Sequence, residues 1–462
     1  MKTPRSVKLH RPGKVKDWSE IFTKKVWAAV QAAAGEFERN RPDWDLKAVV
    51  ETGLYLALSA EQTRATQFAE AQDWRLGKWG GGDTYSGFAA ALAALPREVA
   101  VALREAQSEE EVGRLAARVG RWLAFGFDGT KVDLPLCDAL LAHYGAATRE
   151  PGRPQLTVVA AVALGLRRLQ DWAVGGGLVG ERSLAQELLR RLPRGVLTVY
   201  DAGFVGHDFL AEALALGQHV LMRVGANCRL WAEGLGEVVK KGGLVWLWPE
   251  GAQKDGAPVV LRLIPLRRRK RKWVRYKGGR RRRGKRGRWE TKVETLWLLT
   301  DVLDEKALTA AEAKELYERR WPANEIGFRD WKHTLQGKKL RSRTPVQVEW
   351  EADFLLVAQQ GLQGLGLRAQ AGRGWKLQPV SLAGVLRVWR WARRRKAAKR
   401  GVVGLRRKLR KAVLDEYERK KPKQKRRWAQ RKEYRMIGRP KIRKLSAALK
   451  RKGEERLMAA GG

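Results

Sequence analysis

The stretch VLTVYDAGFVGHDFLAEALALGQHVLMRV, Val196 to Val224, changes its apolar period twice. Its opening residues are apolar and rich in β-branched side chains, and they stop at Asp201, the pattern of a buried strand. From His207 the apolar residues recur every three to four positions, which predicts a helix, and QHVLMRV returns to strand. The alternation continues on both sides. SLAQELLRRL reads as a helix, WLAFGFDGTKVDLP as a strand-like run that meets Asp128, QLTVVAAVALGL as a continuation of the sheet, and TLWLLTDVL as a later strand. Strands alternating with helices predict an α/β chain built on a mixed sheet.

The flanks differ in character. Residues 17–115 place apolar side chains at helical spacing in SEIFTKKVWAAVQAAAGEFERN and LKAVVETGLYLALSAEQTRATQFAEA. SEEEVGRLAARVGRWL opens there with a capping-box pattern, and GKWGGGDTYSG interrupts the region. Between residues 226 and 293 short strand-like pieces (GLVWLW, PVVLRLIPL, WVRYKGG) predict a β-rich insertion. Within it, 15 of the 22 residues from Arg267 to Arg288 are Lys or Arg, read as a basic, mobile hairpin or loop. TAAEAKELYERRW, EIGFRDWKHTL and PVQVEWEADFLLVAQQGLQGL read as three helices, with Pro322 and Asn324 marking a break and Asn324 a candidate N-cap. The expected organisation is a helical region at 1–115, an α/β domain at 116–371 interrupted by the insertion at 226–293, and a basic C-terminal tail at 372–462.

Charge narrows the function. The 94 Lys and Arg against 49 Asp and Glu leave +45 in 462 residues, and such self-repulsion points to a polyanionic partner, with nucleic acid first. A basic packing or architectural protein fits the charge alone. Two cysteines and five histidines give no disulfide framework and no zinc spacing. The N-terminus lacks an apolar signal core, and LTVVAAVALGL is too short to span a bilayer. The expectation is a soluble, cytoplasmic protein of a reducing compartment, with no membrane partner. GGG at 80–82 and 175–177 lacks the lysine or spacing of a nucleotide loop, so no nucleotide cofactor is expected.

Three acids stand out against this basic background. Asp128 and Asp201 meet apolar strands, where an ionised carboxylate is costly unless it is paired or metal-bound, though a strand-end Asp is also a common turn or cap residue. Glu325 lies on a helix among cations, and with Arg329 it forms the i,i+4 spacing of a helix ion pair. If the three converge, two Mg²⁺ ions, or Mn²⁺ in their place, would relieve the repulsion and create a centre for phosphoryl transfer.

The blocks GFDGTKVDLP, VLTVYDAGFVGHDFLAEALALGQHVLMRV, LWLLTDVL and YERRWPANEIGFRDWKHTLQGKKLRSRTPVQVEWEADFLLVAQQGL resemble, in order and spacing, those of a DDE transposase of the insertion-sequence-four family, over roughly residues 120–365. The resemblance implies an RNase H-like catalytic core at 116–371 with an inserted β domain, DNA binding by the helical region at 1–115, and DNA binding or dimerisation by the basic tail at 372–462. It places the catalytic, metal-binding acids on Asp128, Asp201 and Glu325. The family's tyrosine–arginine–glutamate–lysine signature falls on Tyr317, Arg320, Glu325 and Lys332. This chain has four residues between Arg320 and Glu325 where the family has three, so Arg319 competes with Arg320 for the signature arginine. Arg329, Arg341 and Arg343 extend the phosphate-binding set, and Trp321 and Trp289 are candidates for base stacking, with Trp273, Trp389, Trp391 and Trp428 either stacking or packed as anchors. The resemblance further implies nicking at transposon ends, with water as the first nucleophile and the freed 3′-hydroxyl as the second. It implies double-stranded DNA partners (terminal inverted repeats and target), a homodimer in the synaptic complex and a nucleoid location in a prokaryotic cell. A catalytically inactive DNA-binding derivative and a metal-dependent nuclease on the same fold are the competing readings.

Overall fold

In the computed structural model, which describes residues 21–37, 44–75, 82–109, 115–146, 152–249, 256–275, 287–371, 376–397, 403–414 and 438–461, the chain is mixed α/β and divides into two compact units. The first comprises Met1–Leu192 with Arg319–Lys423, the second Pro193–Glu318 with Gln424–Gly462.

In the first unit, strands β1 (Arg118–Val119), β2 (Trp122–Asp133), β3 (Gln155–Ala163) and β4 (Arg168–Gly176) form an antiparallel meander. Asp128 is not at a strand end. It sits in the middle of the twelve-residue β2, opposite Ala160 of β3. The two-residue side-chain period puts Gly126, Asp128 and Thr130 on one face and Gly129 on the other. On Gly129's side lies α7 (Glu181–Arg191), whose Leu184, Ala185, Leu188 and Leu189 are buried. A Cβ on Gly129 would stand 2.4 Å from the Glu181 carboxyl carbon. Between β2 and β3 runs α6 (Asp138–Tyr144).

Helices α1 (Lys24–Ala34), α2 (Leu46–Leu58), α3 (Arg64–Arg75), α4 (Tyr85–Ala93) and α5 (Glu98–Ser108) belong to this unit. Thr23, Asp45 and Thr84 cap α1, α2 and α4 through their side-chain oxygens. The apolar run LKAVVETGLYLALSAEQTRATQFAEA, read as continuously helical, breaks at Ser59, the C-cap of α2. Ser108, read as opening a capping box, ends α5, and its hydroxyl donates to the Gln170 carbonyl; positions 110–114, which would complete the box, lie outside the described residues. At the centre stands α11 (Pro345–Gln370), started by the Thr344 cap and buried along almost its whole length. A helix buried all round is usually apolar. Here the polar residues are instead bonded: Asp353 accepts from the Trp172 indole, and Glu351 accepts from the Arg341 and Ser342 amides. Helices α12 (Leu382–Ala397) and α13 (Leu405–Arg410) complete the unit.

The second unit holds β5 (Leu197–Tyr200), α8 (His207–Ala215) and β6 (His219–Val224), with β5 and β6 parallel as the period changes imply. Strands β7 (Arg229–Ala232), β8 (Gly243–Leu247), β9 (Val259–Arg275) and β10 (Gly287–Thr300), with helix α9 (Leu235–Lys241) between β7 and β8, fill the region read as a β-rich insertion. The basic run is a strand pair: β9 and β10 keep antiparallel register from Thr300↔Arg262 out to Gly287↔Arg275. Residues 276–286 lie outside the described residues, as do Trp428 and the side chains of Trp273 and Trp289. The C-terminal segment is not merely a tail. β11 (Lys441–Lys444) pairs in parallel with β7, and α14 (Ala447–Gly461) follows it.

Helix α10 (Ala310–Arg329) carries the boundary between the units, after Glu318, and runs into a π-helical turn, Asp330–Thr334. The break expected at Pro322 does not occur, and Pro322 lies inside the helix. Among the described residues no single helix is long and apolar enough to cross a membrane.

Candidate functional site

The first unit assembles a polar constellation on the Gly126–Asp128–Thr130 face of β2. α10 approaches that face closely because position 126 is glycine. A Cβ there would stand 2.8 Å from a Leu164 methyl, 2.9 Å from Asn324 Oδ1 and 3.0 Å from Arg320 Cγ. Arg320 and Asn324 are four residues apart, hence on one helix face. Asn324 Nδ2 donates to the Gly126 carbonyl at 3.3 Å, and Arg320 Nη1 donates to the Phe127 carbonyl at 3.3 Å. The same Nη1 stands 3.5 Å from Asp128 Oδ2, with the arginine side chain 3% exposed and the aspartate 34%. Asp128 Oδ1 accepts from the Gly129 amide at 3.0 Å. A buried guanidinium thus holds the carboxylate's outer oxygen while the backbone holds the inner one.

One turn beyond α10, Lys332 Nζ donates to the Thr130 hydroxyl and, at 3.1 Å, to the Lys131 carbonyl. Burial lowers its pKa, and Lys338 adds to that, while Asp133 and Glu325 pull the other way. The π-turn therefore docks a cation two residues along β2 from Asp128.

The expected residues fall into distinct settings. Glu325 and Trp321 are one helical turn apart, and both are exposed, the indole at 61%. Arg329 and Arg343 are exposed, and Arg319 is half-buried. Arg320 and Tyr317 are buried, so neither side chain is displayed for a phosphate. Arg320, expected at a phosphate, is turned in this structure toward Asp128 and the Phe127 carbonyl. Arg341 donates from Nε to the Gln62 carbonyl at 3.1 Å and from Nη2 to Gln336 Oε1 at 3.0 Å. Asn324, expected as an N-cap facing a metal, is a mid-helix anchor to β2, which removes the positive helix end from Glu325. Trp389 is fully buried against Tyr55 and Trp74, an anchor rather than a stacking platform. Trp391 carries Arg395 and Lys408 over its ring.

In the second unit Asp201 follows β5 and caps the short turn Ala202–Phe204, its Oδ1 accepting from the Ala202 amide at 2.6 Å. One carboxylate oxygen of Asp201 thus takes the turn position common for a strand-end aspartate. Beyond the turn opens a cleft of about 430 Å³ floored by Trp231, Trp248 and Cys228 and rimmed by Asn227, Arg229 and Arg443.

Asp128, Asp201 and Glu325 offer only carboxylate oxygens, a donor chemistry that fits hard divalent cations and excludes a thiolate or imidazole site. Among the described residues no three His, Cys, Asp or Glu side chains are grouped to hold a metal ion. Sequence reasoning missed Gly126 and Thr130, and it gave Asn324 a cap in place of its bond to the Gly126 carbonyl. The signal was present as a two-residue period on β2 facing a four-residue period on α10.

The family described as "Transposase DDE domain" matches residues 127–359, just over half of the chain. No curated protein matches the chain. Among solved structures, the cryo-EM structure of a piggyBac transposase synaptic complex with hairpin DNA is similar at 11% identity and a TM-score of 0.41, over 87% of this chain and 85% of that one.

Proposed function

The chain belongs to the transposase DDE-domain family, and from that premise we propose that it moves an insertion sequence of the insertion-sequence-four type by cutting at the element's ends and joining the freed 3′-hydroxyls to target DNA. The family match carries the reading, because it begins next to Asp128 and runs through α10, Lys332 and most of α11. Chain order supports an RNase H-like core: an antiparallel meander β2–β3–β4, then helix α7, strand β5, helix α8 and a parallel strand β6.

The catalytic acids in this proposal are Asp128, Asp201 and Glu325, which would hold the divalent cations, Mg²⁺ or Mn²⁺. Bound there, the ions would neutralise the attacked phosphate and activate water or the 3′-hydroxyl. The chain's own groups do the positioning. Arg320 and the Gly129 amide fix the Asp128 carboxylate from two sides, so it does not reorganise when a phosphodiester approaches. Lys332, tethered to β2 at Thr130 and Lys131, brings a cation two residues along the strand from that carboxylate and suits a phosphate beside the cut. Arg319, Arg329 and Arg343 suit phosphates farther out, and the exposed Trp321 suits an unstacked base. The proposed partners are double-stranded DNA, as terminal repeats and target, and a second copy of the chain in the synaptic complex, in the nucleoid of a prokaryotic cytoplasm.

The test incubates the purified chain with duplexes carrying its element's terminal repeats, Mg²⁺ and a target plasmid. Cleavage and joining are expected, both lost in Asp128→Asn, Asp201→Asn and Glu325→Gln while DNA binding persists. Cleavage without joining would reassign the chain as a nuclease. Binding without cleavage would make it a DNA-binding derivative, and full activity of Asp201→Asn would sink the site.

A further inference from the structure

Helix α12 presents an arginine face that the proposed chemistry does not use. Arg387 and Arg394 are exposed and Arg390 half-buried, at i, i+3 and i+7 on one side of the helix. They rim a groove of about 280 Å³ whose floor includes Ala60, Leu386 and Thr334. Thr334 belongs to the π-turn that also bears Lys332. The groove therefore adjoins the turn docked on Asp128's strand, and all of these residues lie in the first unit.

The arginines are crowded rather than neutralised. Arg390 Nε donates to the Leu58 carbonyl at 2.8 Å, which fixes the guanidinium at the groove wall. Burial and the neighbouring Arg394 charge both lower its pKa, and the opposing acid is Glu70, whose carboxylate also accepts from the Ser59 hydroxyl. Among the described residues the groove gathers three guanidiniums, with Glu70 the acid acting on Arg390, an arrangement suited to a polyanion. Its pitch suits a nucleic-acid strand: seven residues of α-helix advance about 10.5 Å, the axial rise of about three nucleotides of one DNA strand.

We propose that the Arg387–Arg390–Arg394 groove of α12 is a track for the phosphate backbone of duplex DNA, leading a strand across the π-turn toward Asp128. This rests on the transposase reading and adds which surface of the first unit carries the DNA. An acidic protein segment is the competing occupant, disfavoured by a net charge of +45 that no single acidic peptide matches.

The experiment measures binding of the full-length chain to a 30-base-pair duplex by fluorescence anisotropy across a salt series. It compares wild type with Arg387→Gln/Arg394→Gln, which spares the anchored Arg390, and with Arg451→Gln/Lys452→Gln as a charge-matched control on α14. Loss of two phosphate contacts lowers the slope of log K against log salt by about 1.8, and affinity at low salt falls at least about tenfold. The control keeps most of its slope. Equal loss in both doubles overturns the track, since only bulk charge would then matter, and so does an unchanged slope in the α12 double. If the track fails while Asp128→Asn still abolishes cleavage, the transposase reading stands without it. If Asp128→Asn cleaves normally while the slope falls as expected, the track stands and that reading fails.

Discussion

Arg320 Nη1 and Asp128 Oδ2 stand 3.5 Å apart, joining a side chain sealed between α10 and β2 to one that keeps a third of its surface open. An arginine so buried cannot exchange its partner for a DNA phosphate without unpacking the helix from the strand. In the reading we propose, it holds the carboxylate. Arg320→Gln should therefore reduce cleavage strongly, leave the salt slope of DNA binding at the wild-type value, and cost about 1–3 kcal/mol of stability from the lost charge-assisted contacts to the Phe127 carbonyl and the Asp128 carboxylate. A reduced salt slope in this variant would restore the phosphate-clamp role and sink the positioning one.

Gly126→Ala tests the same packing from the strand side. The added methyl meets Leu164, Asn324 and Arg320 at or below 3.0 Å. Those neighbours sit in a closed interface, so α10 must move outward, at about 1–3 kcal/mol. Denaturant midpoints should fall, and cleavage should fall further than the stability loss explains, because Arg320 moves with the helix. A variant as stable and active as wild type would show the interface to be loose.

Much of this arrangement was legible because periodicity reports packing directly. The apolar strand into Asp201 and the helix after it follow from the side-chain pattern alone. The misses have physical causes. Pro322 signals a break by local preference, since it lacks an N–H and crowds the preceding turn, yet packing of Arg320, Asn324 and Gly327 over β2 and β3 carries the helix through. β4 was not read because RLQDWAVGG carries Arg168 and Asp171, which look solvated. Both are buried and paired, Asp171 with Arg104 and Arg191, Arg168 with the Gln107 carbonyl. β11 was hidden because its partner β7 lies some two hundred residues away, and composition cannot register a pairing at that separation.

Asp330 gives the π-turn a pH signature. It is 6% exposed, and burial raises its pKa to about 6, against the pull of Arg329 and a hydrogen bond from Thr334. The folded state then holds the proton more tightly than the unfolded chain. This contribution is greatest below about pH 4, declines as pH rises toward 6 and is flat above, for a total of roughly 3 kcal/mol. Asp330→Asn removes the ionisation, so its denaturation midpoints should lack this decline between pH 4 and 6 and exceed wild type at pH 7. Parallel pH curves for the two proteins would show that the carboxyl is not perturbed by folding.

The segment after residue 437 tests whether a basic C-terminus is an arm or a structural part. Its β11 extends the sheet of the second unit, and Leu445 joins the cluster of Trp231, Trp246 and Trp248, with Leu449 packed against it. Gly453 of α14 lies on the Trp246 ring so closely that a Cβ would come within 2.2 Å of it. The indole is buried and fixed between neighbours, so Gly453→Ala must displace either the ring or the helix, at about 1–3 kcal/mol. Truncation after 437 would cost more, because it uncovers three tryptophans and strips β7 of its edge partner. Arg451→Gln/Lys452→Gln alters exposed charge on the same helix without touching the ring, and should leave the thermal midpoint within a degree or two. If Gly453→Ala and the truncation melt with wild type, the segment is a detachable arm and its strand pairing contributes nothing. If both melt early while the exposed pair does not, the basic residues of α14 ride on a piece of core, and loss of DNA binding on truncation would reflect a damaged fold as much as missing charge.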